Sequence, residues 1–206
     1  MPNRRLRLFV LAVAAALAAA TSASAFPRTA RPDLVLSAGG TFAVTGTPND
    51  GGFSFAISTM WPVGARGSFG LMAFADDMGT NLIELYDAND GTPLGTAADL
   101  HRRAWGAAWR ADADVWSLGR WSGGASGSWG YWRVEDDRRG NIVAAASALG
   151  FTLGADARRP IGGSRDIGLA LRYHRLSVDP SVAYLRVDRY ASAALELRWA
   201  SRGRND

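Results

Sequence analysis

The chain has 206 residues, of which 48% are hydrophobic and 20% charged, and it contains 24 glycines and no cysteine. This length suits one domain, and the balance of hydrophobic and charged residues excludes a disordered chain. The lack of cysteine excludes disulfide bonds, thiolate metal sites, a cysteine nucleophile and a lipidated cysteine anchor.

Residues 1–25 have the pattern of a cleaved signal peptide. A start with three arginines precedes an apolar run over 8–20, and Ala23-Ser24-Ala25 fits the A-x-A cleavage site. The apolar run is shorter than the roughly 20 residues that a spanning helix needs, which favours export over a membrane anchor. We therefore expect a mature domain over 26–206. Without the three arginines the formal charge of +4 becomes nearly neutral, so the sequence predicts no nucleic-acid partner.

Beyond the signal, large and small or polar residues alternate with a period of two, which is typical of β-strands. Phe53, Phe55 and Ile57 share one face of such a run, and Ser54 and Ala56 share the other. Turn residues separate the runs. The sequence predicts eight strands, at about 34–45, 52–62, 67–76, 101–115, 121–136, 141–157, 166–177 and 184–200.

The longest predicted connection is a loop over residues 77–100, between the third and fourth strands. Outer-membrane barrels have short periplasmic turns and longer external loops, so this loop is expected outside the cell if the chain starts in the periplasm. Its length makes it the candidate contact for an extracellular partner. Within it, Asp87–Gly91 departs from the spacing of a calcium loop and lacks the terminal glutamate, so a solvated loop is favoured.

The polar faces of the predicted strands carry small residues and charges of both signs. Alternation alone also fits a soluble barrel, but an eight-stranded lumen is just wide enough for side chains, so opposite charges can pair there. The sequence therefore predicts an all-β, eight-stranded antiparallel up-and-down transmembrane β-barrel with a filled lumen and no open channel. The charged groups expected inside are Arg102, Arg110, Asp112, Arg172, His174, Arg186, Asp188, Glu196 and Arg198.

Aromatic residues are expected at both membrane boundaries, because aromatic girdles flank the apolar band of transmembrane barrels. Four tryptophans fall at strand ends on the periplasmic side: Trp61, Trp116, Trp121 and Trp199. A second girdle is predicted near the opposite rim: Tyr131, Trp132, Tyr173 and Tyr184.

Four stretches of the mature chain carry a resemblance to a known family. They are Leu34–Phe42, Gly130–Val134, Ala148–Ala155 and Leu169–Leu176. They resemble the small outer-membrane β-barrel family of the OmpA, OmpX and Opa type. The resemblance implies a bacterial outer-membrane protein with a structural or surface-interaction role and no enzymatic activity. It also implies that Trp199 is the terminal aromatic that the barrel-assembly machinery reads.

One candidate catalytic group is His174 with Ser177 and Asp188, because lipid A deacylases are eight-stranded barrels with a His-x-Ser pair. Residues two apart share a face of a strand, whereas His174 and Ser177 are three apart and point to opposite faces. Arg175 stands where the base should be, and an arginine cannot act as a general base. A structural histidine near Asp188 or Glu196 is favoured, with a degenerate deacylase as one alternative and a periplasmic lipocalin-like barrel as another.

Two further motifs complete the predictions. The run Asp136–Gly140 is interpreted as a solvated hairpin turn, in which Arg138 and Arg139 are candidate contacts for lipopolysaccharide phosphates. Gly123–Gly127 lacks the lysine of a phosphate-binding loop, so no nucleotide site is predicted. We expect no catalytic residue, metal or cofactor. The expected partners are outer-membrane lipid, lipopolysaccharide, the barrel-assembly machinery and an extracellular ligand of 77–100.

Overall fold

The computed structural model describes residues 31–44, 51–86, 90–138, 140–177 and 189–200. The strands are β1 (Asp33–Ala43), β2 (Gly52–Val63), β3 (Gly67–Tyr86), β4 (Pro93–Leu118), β5 (Trp121–Arg138), β6 (Asn141–Gly162), β7 (Arg165–Ser177) and β8 (Arg189–Trp199). No helix among the described residues is long and apolar enough to cross a membrane. The predicted signal peptide over 1–25 lies outside the described residues, as do Tyr184, Arg186 and Asp188.

Each strand pairs antiparallel with its neighbours along the chain, and β1 pairs with β8 to close the barrel. The closing register runs from Leu34 opposite Trp199 to Ala43 opposite Tyr190. The predicted eight-stranded up-and-down barrel is therefore confirmed. We call the end that holds Asp33 and Trp199 the lower end, and the opposite end the upper end.

The barrel has an apolar outside and a polar inside. On β7, Leu169 and Leu171 point outward and are 61% and 62% exposed, whereas the intervening Ala170 is 4% exposed. On β8, Leu195 is exposed outside while Ser192 is buried in the lumen. This polarity is the inverse of a soluble protein and matches a barrel surrounded by lipid.

The predicted loop over 77–100 is largely wrong, because most of it is strand. β3 continues to Tyr86 and β4 begins at Pro93, and the two pair along this whole length. The pairing between β3 and β4 shifts register after Asp77 and again near Leu85, so the extra residues at these bulges do not end the strands. Gly79 lies at the first shift with a φ of 75°, a conformation that glycine adopts without strain. The long connection is therefore a β-hairpin that extends the barrel upward.

Three other predictions need correction. Trp132, expected in the upper girdle, points into the lumen and is 0% exposed. Asp136 and Asp137, interpreted as part of a solvated turn, belong to β5 and are buried. Trp61, predicted in the lower girdle, lies two residues before the end of β2 and is buried, whereas Trp116 and Trp121 lie exposed at a lower turn as predicted.

The upper half of the lumen holds an apolar cluster. Gly150 leaves room for the largest member of the cluster, Trp132, because a Cβ at position 150 would lie only 3.1 Å from the Trp132 ring. The members of the cluster are Ala56, Met72, Phe74, Met78, Ala104, Ala108, Trp132, Val134, Ala146, Ala148, Leu176 and Tyr190.

Candidate functional site

An ionic network fills the lower half of the lumen, where β4, β7 and β8 supply inward-pointing charged residues. Arg110 Nε lies 2.8 Å from Asp112 Oδ1, and Arg110 Nη1 lies 3.1 Å from Glu196 Oε1. Arg172 also contacts Glu196, and its Nη1 donates to Ser37 Oγ at 2.9 Å. Glu196 thus bridges two buried guanidinium groups, as predicted from alternating charges of both signs.

The network continues to the lower end of the barrel. Arg198 Nε lies 3.0 Å from Asp33 Oδ2, and Arg198 Nη2 donates to Ser68 Oγ at 3.2 Å. Arg158 contacts Asp114. Between these groups lies a cavity of about 10 Å³, close to the least space that can hold one water molecule. These side chains occupy the lower lumen and leave space there for little more than solvent.

His174 lies buried higher in the lumen, among hydroxyl groups. Its Nδ1 is 3.0 Å from Thr152 Oγ1 and its Nε2 is 3.0 Å from Ser192 Oγ. Its ring stacks on Tyr190 with centroids 4.2 Å apart. The prediction of a buried structural histidine is confirmed, but the described contacts are hydroxyls and a ring instead of Glu196, and Asp188 is outside the described residues.

The arrangement around His174 does not form a hydrolase dyad. His174 is buried inside the barrel, whereas Ser177 is exposed on the outside of β7. The two side chains are on opposite sides of the barrel wall, as their spacing predicts, so the histidine cannot take a proton from this serine.

Asp76 anchors a second network in the upper lumen. Ser54 Oγ donates to Asp76 Oδ1 at 2.6 Å, and Tyr190 Oη donates to Asp76 Oδ2 at 2.5 Å. Trp132 Nε1 in turn donates to Tyr190 Oη at 3.3 Å, and its ring packs on Phe74 with centroids 4.8 Å apart. The polar atoms of two large aromatic side chains are thereby satisfied inside the apolar cluster.

The outer surface has tryptophans at mid-height that the sequence analysis did not assign. Trp109 stands opposite Trp129 on β5, and Trp129 stands opposite Phe151 on β6. Phe69 stacks on Trp109 with centroids 5.4 Å apart. In β4, Trp105 and Trp109 alternate with the lumen residues Arg102 and Arg110. The period of two in the sequence therefore already indicates that these two tryptophans face outward.

The upper extension carries polar groups at its base and tip. At the base, His101 Nε2 lies 2.8 Å from Asp77 Oδ2, and Arg103 Nη1 lies 3.3 Å from Asp137 Oδ2. At the tip, the hydroxyl and backbone amide of Thr92 donate to the Asp90 carboxylate and hold the pKa of this exposed carboxyl below its usual value. Asp87 and Asn89 lie outside the described residues, as does the side chain of Arg138 and all of Arg139.

Possible metal ligands are dispersed in this fold. Among the residues that the structure describes, no three His, Asp or Glu side chains are grouped so that they could hold a metal ion. The buried carboxylates Asp112, Asp136 and Glu196 each face a guanidinium group. Their role in the described barrel is ion pairing inside the lumen.

No protein-family model and no curated protein matches the sequence. Solved structures do match. Neisserial surface protein A (NspA) aligns with a TM-score of 0.61 and 13% identity, over 82% of this chain and 96% of that protein. A major outer membrane protein from Thermus thermophilus aligns with a TM-score of 0.53 and 12% identity, over 82% and 98%. Ail of Yersinia pestis aligns with a TM-score of 0.46 and 8% identity, over 82% and 96%.

The first two matches cover the barrel almost from end to end in both partners, at identities that carry information on the fold alone. They agree with the all-β barrel fold described above. The chain has the fold of the small outer-membrane β-barrel proteins, as the resemblance in its sequence predicts.

Proposed function

We propose that this protein is a non-enzymatic barrel of a bacterial outer membrane with a structural or surface-interaction role. The observation that carries the proposal is the polarity of the wall: leucines such as Leu169 and Leu195 face outward, while Arg110, Arg172 and Glu196 pair inside. A wall of this kind is stable in lipid, where the apolar face needs no water and the lumen satisfies its own charges.

Export and assembly follow from the same proposal. Residues 1–25 direct export and are removed at Ala25, and Trp199 at the end of β8 is the aromatic that the barrel-assembly machinery reads. Outer-membrane lipid and lipopolysaccharide surround the finished barrel. The start of β1 and the end of β8 then meet at the periplasmic end, so the upper end faces outward.

The alternatives are less consistent with the geometry. A lipocalin-like barrel keeps an apolar cavity for its ligand, whereas charged side chains fill the lower lumen here. A deacylase needs its serine and histidine on one side of the wall, and the two residues are on opposite sides.

The surface-interaction role is assigned to the upper extension. β3 and β4 have 20 and 26 residues, whereas β1 and β8 have 11 each. Above Asp76, β3 pairs with β4 alone among the described residues, so the hairpin projects from the rim. At about 3.3 Å per residue, the part of β3 beyond Asp77 reaches roughly 30 Å, which offers an accessible surface for an extracellular partner.

Single-cysteine labelling tests both location and orientation. The chain has no cysteine, so Asp90→Cys at the hairpin tip and Arg120→Cys at a lower turn introduce one thiol each. A membrane-impermeant maleimide on intact cells is expected to label the first variant alone, and both after permeabilisation. Labelling of position 120 in intact cells would contradict the orientation. Recovery of the protein in the soluble periplasmic fraction would contradict the membrane location.

A further inference from the structure

Tryptophan is concentrated on one face of the barrel wall. Five of the eight tryptophans lie on the outside of the hairpin formed by β4 and β5, with exposed fractions between 39% and 59%. They are Trp105, Trp109, Trp116, Trp121 and Trp129. Together with Val115, Leu118 and Tyr131 they expose roughly 800 Å² of apolar side chain, at about 150–250 Å² for each whole side chain. We call this surface the β4–β5 face.

The outward row of β7 gives a scale of depth for the wall. Arg165 and Arg175 bracket this row. Ten residues at about 3.3 Å each and a tilt of about 40° span roughly 25 Å along the barrel axis, the height of the usual apolar band. The register climbs around the barrel, because the line of partners that starts at Asp33 returns to β1 at Ala43. Ten residues over eight strands give a rise of about 1.25 residues from each strand to the next.

Two tryptophans of the β4–β5 face lie inside this apolar band. The line of partners runs from Trp109 through Trp129 and Phe151 to Arg175. With the rise from strand to strand, Trp109 is level with Leu171, and Trp129 lies about one residue higher. Tryptophan is enriched at the two membrane interfaces instead of the band between them. A place in an aromatic girdle therefore does not account for these two residues.

Small residues lie below these two tryptophans on the same strands. They belong to the outward rows of β4 and β5, and they pair in register as Ala111 with Gly127 and Ala113 with Ala125. The outward row of β7 has Ile167, Leu169 and Leu171 at similar heights. Small residues allow the backbones of two membrane proteins to approach closely, so the β4–β5 face combines protruding rings with a shallow surface beside them.

We propose that the β4–β5 face binds the same face of a second copy of this chain. A two-fold axis along the membrane normal, between β4 and β5, brings β4 of one copy against β5 of the other and keeps every residue at its height. Trp109 then faces Gly127 of the second copy, and Trp129 faces Ala107, so each large side chain meets a small residue. The roughly 800 Å² of apolar surface on each copy equals what a stable interface buries on one partner. The inference rests on the proposed membrane location, because the bilayer defines the axis.

Cysteine cross-linking in isolated outer membranes tests this arrangement, since the chain has no cysteine of its own. Ala111→Cys and Gly127→Cys each place one thiol beside the two-fold axis, and a Cβ at position 127 would have its nearest atom 3.9 Å away. A short, membrane-permeant bismaleimide suits facing sheets about 10 Å apart. It is expected to give a product of twice the monomer mass with both variants. The control is Ala193→Cys, exposed on the outside of β8, which is expected to stay monomeric.

Replacement of the two tryptophans tests the packing itself. Trp109→Leu combined with Trp129→Leu, in the Gly127→Cys background, is expected to lower the cross-linked fraction by about tenfold, since both ring contacts are lost. The control is Leu169→Ala combined with Leu171→Ala on β7, in the same background. It is expected to cross-link like Gly127→Cys alone. Heat-modifiable migration on a gel confirms that each variant is folded.

Three results would overturn the dimer. They are cross-linking at positions 111 and 127 that does not exceed the level of Ala193→Cys, a product whose mass corresponds to a different protein, and an unchanged cross-linked fraction in the tryptophan variant. Recovery of the protein in the soluble periplasmic fraction would contradict the proposed function. A protein that is found in the outer membrane and does not cross-link contradicts the dimer alone, so the two failures are distinguishable.

Discussion

Arg102 and Asp136 form a bidentate ion pair between β4 and β5, with Nε–Oδ1 and Nη2–Oδ2 distances of 2.7 Å. The two side chains are 3% and 0% exposed. The pair lies near the upper end of β5 and links it to β4, where the two residues are register partners. A planar guanidinium facing a carboxylate in this geometry fixes both side chains and the register of the strands that carry them.

Removing one partner of this pair is expected to be costly. Asp136→Ala takes away the carboxylate that neutralises buried Arg102, and we expect the free energy of unfolding to fall by about 3–5 kcal/mol. Urea unfolding in lipid vesicles, followed by tryptophan fluorescence, measures the change. The control is Asp77→Ala, whose partner His101 is partly exposed. A loss of about 1 kcal/mol or less is expected there, and similar losses for the two variants would contradict a special role for the buried pair.

Neighbouring glycines in β1 differ sharply in the space around them. A Cβ on Gly39 would lie 1.9 Å from the Ala193 carbonyl oxygen of β8, whereas a Cβ on Gly40 would meet its nearest atom at 3.6 Å. We expect Gly39→Ala to destabilise the β1–β8 closure by about 2 kcal/mol or more, since overpacking forces the backbone to shift. Gly40→Ala is expected to assemble like the wild type. Heat-modifiable migration reports the folded fraction, and equal fractions for the two variants would refute the close approach.

The strand order was predictable because each strand carries its own alternation. In residues 189–199 the sequence assigns the outward row and the lumen row as the structure has them. The same logic would have placed Trp132 inside, because it shares parity with Ser128 and Asp136 on β5. The expectation that aromatic residues belong to girdles overrode that signal. Gly150 provides the space that makes a buried tryptophan possible.

The upper hairpin was not predictable from local patterns. Asp76, Asp77 and Pro93 are turn-forming residues, and they end the alternation on which the strand assignment depends. In the structure, pairing with β4 carries β3 across these positions through register shifts. At Asp76 and Asp77 this pairing is a long-range property, since their partners Ala104 and Arg103 lie 28 and 26 positions further along the chain.

The outward face is expected to tolerate charge according to depth. Leu169 lies close to the middle of the row between Arg165 and Arg175, whereas Ile167 lies next to the lower boundary. Leu169→Arg is expected to cost about 2–4 kcal/mol and Ile167→Arg about 0–1 kcal/mol, because the penalty falls towards the interfaces. Refolding equilibria in vesicles measure both values. Equal tolerance at the two depths would indicate that this face does not contact lipid.

The lumen is expected to conduct poorly. Arg110, Arg172 and Glu196 occupy the lower half in mutual contact, and an eight-stranded wall leaves little room around them. Planar-bilayer recordings of the purified monomer should therefore show no large, long-lived conductance steps. Such steps from the wild-type protein would require the ionic network to open, in contradiction to the packing described above.

The upper hairpin is expected to be dispensable for assembly and necessary for recognition. Leu82 pairs with Ala98, so deleting residues 83–97 and inserting a two-residue Asn-Gly turn shortens the hairpin and leaves the pairing below it intact. The lumen contacts of Asp76, Arg102 and Asp136 all lie below the cut, which is why we expect wild-type heat-modifiable migration. Adhesion of intact cells to immobilised extracellular ligands is expected to fall to the level of cells without the protein. A shortened variant that fails to fold would show that the hairpin stabilises the barrel, and a folded variant with full adhesion would assign recognition to another part of the surface.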